Sequence, residues 1–234
     1  MTERELLTAG LSELGIIHPQ AVESLLEFSR LMLDKNQVMN LTAVTDPMEV
    51  VTRHFLDCAV LAPYAGGKVI DVGCGAGFPG IPLALLTGSE VTLLDSLKKR
   101  IDWLNETIAR LEIGNASAVH ARAEEYGHRE EFDLAVSRAV ARLNVLAELS
   151  LPLVRIGGRF IAMKADGCEE EVDEARGAIE LLGGTLEEVR SYTVPQTELR
   201  RKLIVIKKRA ETPKKYPRRF AKISAQPLGN QRMN

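Results

Sequence analysis

The residues with the clearest chemistry form one short stretch, Asp71-Val-Gly-Cys-Gly-Ala-Gly-Phe-Pro-Gly80, with a further carboxylate at Asp95. Gly73, Gly75 and Gly77 follow an apolar run at 69–72 and precede another at 81–86. Glycines in such a turn let the backbone bend sharply and approach a ligand closely. Two ligand classes suit the pattern. Gly75-x-Gly77-x-x-Gly80, with Asp95 further on, fits the fingerprint for a dinucleotide whose ribose is held by the acid. Asp71 argues against it. A carboxylate beside the loop repels a diphosphate but favours the ammonium and sulfonium of S-adenosylmethionine. The dinucleotide frame also leaves Gly73 without a role and puts Pro79, which has no N–H, in the phosphate-cradling loop. The expected ligand is therefore the methyl donor, held by Asp71, Gly73, Gly75 and Gly77. Asp95, at the carboxyl end of the next strand, could bind the ribose hydroxyls or cap the helix opening at Ser96. Glu124, beside Ala123, either lies near the adenine or is a solvated acid.

These residues need a scaffold, and the hydrophobic periodicity supplies one. Residues 3–14, 19–38 and 47–61 read as helices and form an expected N-terminal helical cap over 1–62. Short apolar runs at 69–72, 91–94, 118–120, 134–137 and 159–163 read as strands. Helix-like segments at 81–86, 98–111, 143–153 and 169–182 lie between or after them. Strands alternating with helices predict parallel βαβ units in a doubly wound α/β sheet. Two last strands, 185–194 and 203–207, are joined by a connection too short for a crossover helix, which predicts a closing antiparallel hairpin. The expected fold is thus α/β and Rossmann-like, that of a class I methyltransferase. Its mostly parallel seven-stranded sheet occupies a domain over 63–209, followed by an irregular basic tail over 210–234.

Charge is distributed unevenly. The net value of −2 conceals twelve Lys or Arg against a single acid from Arg200 to Asn234. Such polarity suits a polyanionic partner, the plainer alternative being a solubilising tail. Lys207, Lys208, Lys214, Lys215, Arg218 and Arg219 are the candidate phosphate contacts, and Tyr216 and Phe220 could stack on bases. Lys98, Lys99 and Arg100 join them or form a solvated helix face. No apolar run approaches a membrane span and no secretory h-region follows Met1. The three dispersed cysteines, Cys58, Cys74 and Cys168, suit a reducing cytoplasm and have no metal-site spacing. Cys74 reads as a space-filler within the loop. A monomer without a metal is expected.

Several segments extend the pattern: Asn40-Leu-Thr-Ala-Val44, Arg53-His-Phe-Leu-Asp57, Phe78-Pro-Gly-Ile-Pro82, Leu93-Leu-Asp-Ser96, Ser137-Arg-Ala139 and Arg201-Lys-Leu-Ile-Val-Ile-Lys-Lys208. In this order and spacing the chain resembles the bacterial small-subunit (16S) ribosomal RNA guanine-N7 methyltransferase family, also named glucose-inhibited division protein B. The resemblance implies methylation of N7 of one guanine in 16S ribosomal RNA, within the small subunit or its assembly intermediate. It also implies donor contacts at Gly73, Phe78, Ala123, Glu124 and Arg138. The chain departs from the family at Lys164-Ala-Asp166, where many members have Lys-Gly, and Lys164 is carried as an RNA-contact candidate. Arg138, ending the fourth strand, could hold the methionine carboxylate, an RNA phosphate or a structural acid. Arg53 and His54 are further RNA candidates, His54 serving equally well in capping or packing. Asn40 is expected to cap the turn after the second helix.

Overall fold

The computed structural model describes residues 1–138 and 141–229. Two N-terminal helices, α1 (Glu3–Glu13) and α2 (Pro19–Met39), open the chain. Thr2 and Glu5 exchange side-chain and backbone bonds in a capping box at the start of α1. Asn40 ends α2 in the left-handed conformation, at φ 51°. The cap itself comes from Asn36, whose Oδ1 accepts from Leu41 N (2.6 Å) and Thr42 N (2.9 Å). The expected role of Asn40 thus passes to the residue one turn earlier, whose side chain reaches over the helix end.

The segment expected as one helix at 47–61 is interrupted. It runs as α3 (Pro47–Val50), a π-helical stretch (Val51–Leu56) and α4 (Asp57–Ala59). A π-turn shifts the side chains that follow it and recurs at functional sites; this one carries Arg53 and His54.

The sheet contains β1 (Lys68–Val72), β2 (Glu90–Asp95), β3 (Ala116–His120), β4 (Phe132–Arg138), β5 (Val154–Ala165), β6 (Gly184–Thr193) and β7 (Arg200–Lys208). Their order is β3-β2-β1-β4-β5-β7-β6. The first five are parallel. β7 enters between β5 and β6, antiparallel to both, so the expected fold class and closing hairpin are found. Helices α5 (Gly80–Leu86), α6 (Lys98–Arg110), α7 (Leu143–Ser150) and α8 (Glu169–Leu181) cover the sheet.

Strand alternation divides the core in two. Val69, Leu93, Val136 and Val205 face a cluster that includes α1, α2 and α5, whereas Ile70, Val72, Phe160, Ile204 and Ile206 face α7 and α8. The first cluster is continuous from Leu6 to the sheet, so the N-terminal helices share the sheet's core.

The chain after β7 departs from the expected irregular tail. It folds back over the α7 side, forms α9 (Phe220–Ala225), and buries Tyr216 and Ile223 in the second cluster. Apolar residues spaced among the cations supply the attachment, a pattern that overall charge hides.

Candidate functional site

The glycine loop joins β1 to α5 at the carboxyl ends of β1, β2 and β4, where open α/β sheets bind ligands. Gly73, Gly75 and Gly77 have φ of 76°, 57° and 94°, conformations that glycine adopts without Cβ strain. A Cβ at Gly77 would also lie 2.8 Å from Ile81. Gly75 faces open space and Gly77 faces the core, so the two glycines serve different ends.

Asp95 fastens this loop to the next one. Its Oδ2 accepts from Gly75 N (3.0 Å) and its Oδ1 from Leu97 N (2.8 Å), with the Arg100 guanidinium at 3.5 Å. The second bond closes a turn ahead of α6, whose N-cap position is Leu97, so Asp95 does not itself cap the helix. Asp95 also lines two cavities. The larger, about 540 Å³, is bounded by Gly73, Gly75, Phe78, His54 and Arg138 among others; the smaller, about 160 Å³, by Ala123, Glu124, Leu149 and Phe220. Gly73, Asp95 and Ser96 belong to both walls.

Asp71 is placed differently from expectation. It is fully buried and lines neither cavity. Strand parity explains this: Asp71 lies two residues after Val69 and therefore points to the face under α5, not into the crevice. Its Oδ2 accepts from Gly80 N (2.8 Å), tying strand to helix, while Oδ1 has no partner among the described residues. Burial pushes the carboxyl up to about 7, against the opposing Gly80 bond and the Arg138 charge. Asp71 therefore presents no atom to the crevice.

Arg138 and His54 form the opposite wall. Arg138 stands over the Phe78 ring at 5.1 Å, and His54 stacks on the same ring at 4.4 Å. Arg138 donates to the Arg53 carbonyl (3.0 Å), Asp57 Oδ2 (3.3 Å) and His54 Nδ1 (3.0 Å). His54 Nδ1 thus lies between the Arg138 guanidinium (3.0 Å) and the Arg53 carbonyl (3.1 Å), and Nε2 lies 3.0 Å from Thr42 Oγ1. Burial, then the Arg138 charge, lowers His54 to about 3, so the ring is neutral. The structural partner expected as one alternative for Arg138 is Asp57, itself held by the Tyr192 hydroxyl at 2.8 Å. Burial raises the Cys74 thiol well above its ordinary value, which removes it as a nucleophile.

A third cavity, about 330 Å³, adjoins the same pair of residues and adds Arg53, Asp57, Lys164 and Arg201. Lys164 donates to the Ala141 carbonyl (2.7 Å) and pairs with Glu171 (2.6 Å). Ala139 of the Ser-Arg-Ala segment lies outside the described residues.

The remaining cation candidates do not converge. Lys208 is fully buried, donating to the Leu151 carbonyl (2.7 Å) and Thr212 Oγ1 (2.5 Å), and burial lowers its ammonium to about 8. It offers no surface to a phosphate. Its parity with Ile204 and Ile206 directs it under α7 and α8, a signal readable only once that face is known to be covered. Arg218 is spent on Glu148. Lys207 bonds the Gly157 carbonyl. Lys214, Lys215 and Arg219 are exposed, Lys215 lying over the Tyr216 ring. Leu41, Thr42, Tyr192 and Arg201 are site residues that sequence reasoning did not single out. The Asn40–Val44 and Arg201–Lys208 segments carry a signal for Leu41, Thr42 and Arg201; Tyr192 requires the tertiary fold.

Residues 21–216 match the family described as rRNA small subunit methyltransferase G, GidB. The chain is 44% identical over 234 residues to the ribosomal RNA small subunit methyltransferase G of Acetivibrio thermocellus, covering 96% of each chain. Identity to the protein of that name from Lachnoclostridium phytofermentans is 46% over 238 residues, covering 97% of this chain and 98% of the relative. Among solved structures, the 1,6-didemethyltoxoflavin-N1-methyltransferase of Burkholderia thailandensis, with S-adenosylhomocysteine bound, aligns with a TM-score of 0.53 at 17% identity. That alignment covers 79% of this chain and 90% of the other, a likeness of fold.

Proposed function

The chain belongs to the rRNA small subunit methyltransferase G family, S-adenosylmethionine-dependent methyltransferases of ribosomal RNA, and on that premise we propose that it methylates N7 of a guanine in 16S ribosomal RNA. One observation carries the assignment of the donor site: the two cavities meet across Asp95. An elongated ligand can place its adenine beside Ala123 and Glu124, its ribose on Asp95, and its amino-acid end over Gly73, Gly75 and Phe78. Arg138 then meets the ligand's carboxylate. The residues fit such a group. Each Asp95 oxygen accepts one backbone N–H and retains accepting capacity. A cationic ligand above the loop would favour the ionised form of Asp71, whose carboxyl is poised at about 7 beneath it.

When bound, S-adenosylmethionine supplies a methyl group already activated by its sulfonium. Guanine N7 carries a lone pair and no proton, so the chain needs no general base. The neutral, engaged His54 and the raised Cys74 thiol agree with that requirement. The work left to the protein is alignment. Arg53, Lys164 and Arg201 in the adjoining cavity suit the phosphates around the acceptor nucleotide, while Asp57 in the same wall favours the cationic product. In this reading residues 1–62 cap the site, 63–209 bind the donor, and 210–234 complete the chain. The enzyme acts in the cytoplasm as a monomer, on the small subunit or an assembly intermediate.

The test supplies donor carrying a labelled methyl group to free 16S ribosomal RNA, to small subunits and to a panel of small acceptors. Label on guanine N7 in either RNA substrate is the expected result. Label that enters only small acceptors would overturn the reading.

A further inference from the structure

Residues 212–229 are pinned to the protein along their length. Arg129 donates to the carbonyls of Thr212 (2.7 Å) and Tyr216 (2.6 Å). Arg218 gives three N–H bonds of 2.6–2.9 Å to the fully buried Glu148 and a fourth to the Gln226 carbonyl (3.0 Å). Further on, Asn144 Nδ2 donates to the Leu228 carbonyl (3.0 Å). Tyr216 and Ile223 are buried. Phe220 sits between these anchors and, unlike the buried Tyr216 and Ile223, leaves 40% of its surface exposed. Its side chain borders the narrow cavity with Leu149, Ala123, Glu124 and Asp95. A phenyl ring held at a cavity mouth by a fixed segment is placed to cover whatever enters.

We propose that Phe220 belongs to the methyl-donor site, closing the adenine end and packing against the base when it enters. The C-terminal segment, by its charge a candidate for RNA, then contributes an apolar surface to the donor. The inference rests on assigning the narrow cavity to adenine. Arg218 and Glu148 act as positioning residues that hold the ring in place. Adenine presents a flat π face, and an aromatic neighbour at such a face adds affinity whatever the rest of the ligand. The effect must therefore appear with any adenosine-bearing ligand.

Calorimetry on the full chain tests this, with S-adenosylhomocysteine and adenosine as probes and a single-stranded RNA oligonucleotide as the comparison. F220A is expected to weaken both probes by the same factor, about tenfold, the lower part of the range for base–aromatic contacts, and to leave RNA affinity and the thermal midpoint unchanged. Should F220A lower the midpoint, F220L keeps the apolar bulk and reads the ring alone. Wild-type protein that binds S-adenosylhomocysteine no better than F220A or F220L overturns the role of Phe220 and leaves the donor site standing. Failure of wild-type protein to bind either probe removes the donor assignment and this inference together. Loss of RNA affinity with donor affinity intact makes Phe220 an RNA contact and overturns the proposal.

Discussion

Two fully buried carboxylates, Asp71 beneath the glycine loop and Glu148 beneath the C-terminal segment, lie on opposite faces of one sheet and are treated in opposite ways. Glu148 is matched by Arg218 through one backbone and two guanidinium N–H bonds, so its charge is met where it is buried. Asp71 receives a single N–H from Gly80, keeps one oxygen bare, and is pushed up to about 7. A compensated pair fastens two segments. An uncompensated carboxylate costs stability and keeps a field available to a ligand. The contrast separates a charge that serves the fold from one that, in the function proposed above, serves the site, and proteins tolerate such local violations at functional positions.

One large effect is expected at Glu148. Arg218→Ala leaves that carboxylate buried without a cation and should cost about 3 kcal/mol in urea unfolding. It should also weaken S-adenosylhomocysteine through Phe220; an unchanged urea midpoint would remove Glu148 as a fastening point. Asp71→Asn should do the reverse. The folded carboxyl titrates near 7 and the unfolded one near 3.8. Between those values the folded wild type binds more protons, so wild-type stability falls relative to the variant as pH rises from about 4 to about 7, then stays level. The variant's relative gain should reach about 4 kcal/mol, at about 1.4 kcal/mol for each of roughly three pH units. Parallel stability curves for the two proteins across that window would end the contrast.

A smaller effect is expected at Asp95, which holds two backbone N–H groups and faces both cavities. Asp95→Ala should weaken S-adenosylhomocysteine about tenfold, near the 1.4 kcal/mol of a hydrogen bond to a charged group. Calorimetry showing unaltered affinity would move the ribose elsewhere. The smallest effect concerns exposed cations. Lys214→Ala with Lys215→Ala should lower the slope of RNA affinity against salt by about 1 to 2 and leave donor binding alone. An unaltered slope would leave these lysines as solubilising groups.

Much of this was legible along the chain. Gly73, Gly75 and Gly77 advertise their positive φ by identity, and the alternation of apolar runs marks the seven strands. Asp95 is readable because a carboxylate just after an apolar strand emerges at its carboxyl end. Asp71 was legible in chemistry but not in direction, since its placement depends on whether the last residues of β1 face the crevice or α5. The π-turn at Val51–Leu56 had no periodic signature, because one inserted residue shifts the phase within a single turn.

The amino-acid sequence determined the βαβ order, the closing hairpin, the glycine loop and the chemical types around it, because these depend on local backbone preference and short-range hydrophobic period. Only the tertiary structure decided where the charges went. It sent Asp71 under the loop, buried Lys208 behind Ile204 and Ile206, paired Arg218 with Glu148 seventy residues away, and brought Phe220 to the cavity beside Asp95. The physical reason is that the cost of a buried charge and the meaning of an exposed ring depend on partners distant in the chain, which neither composition nor spacing specifies.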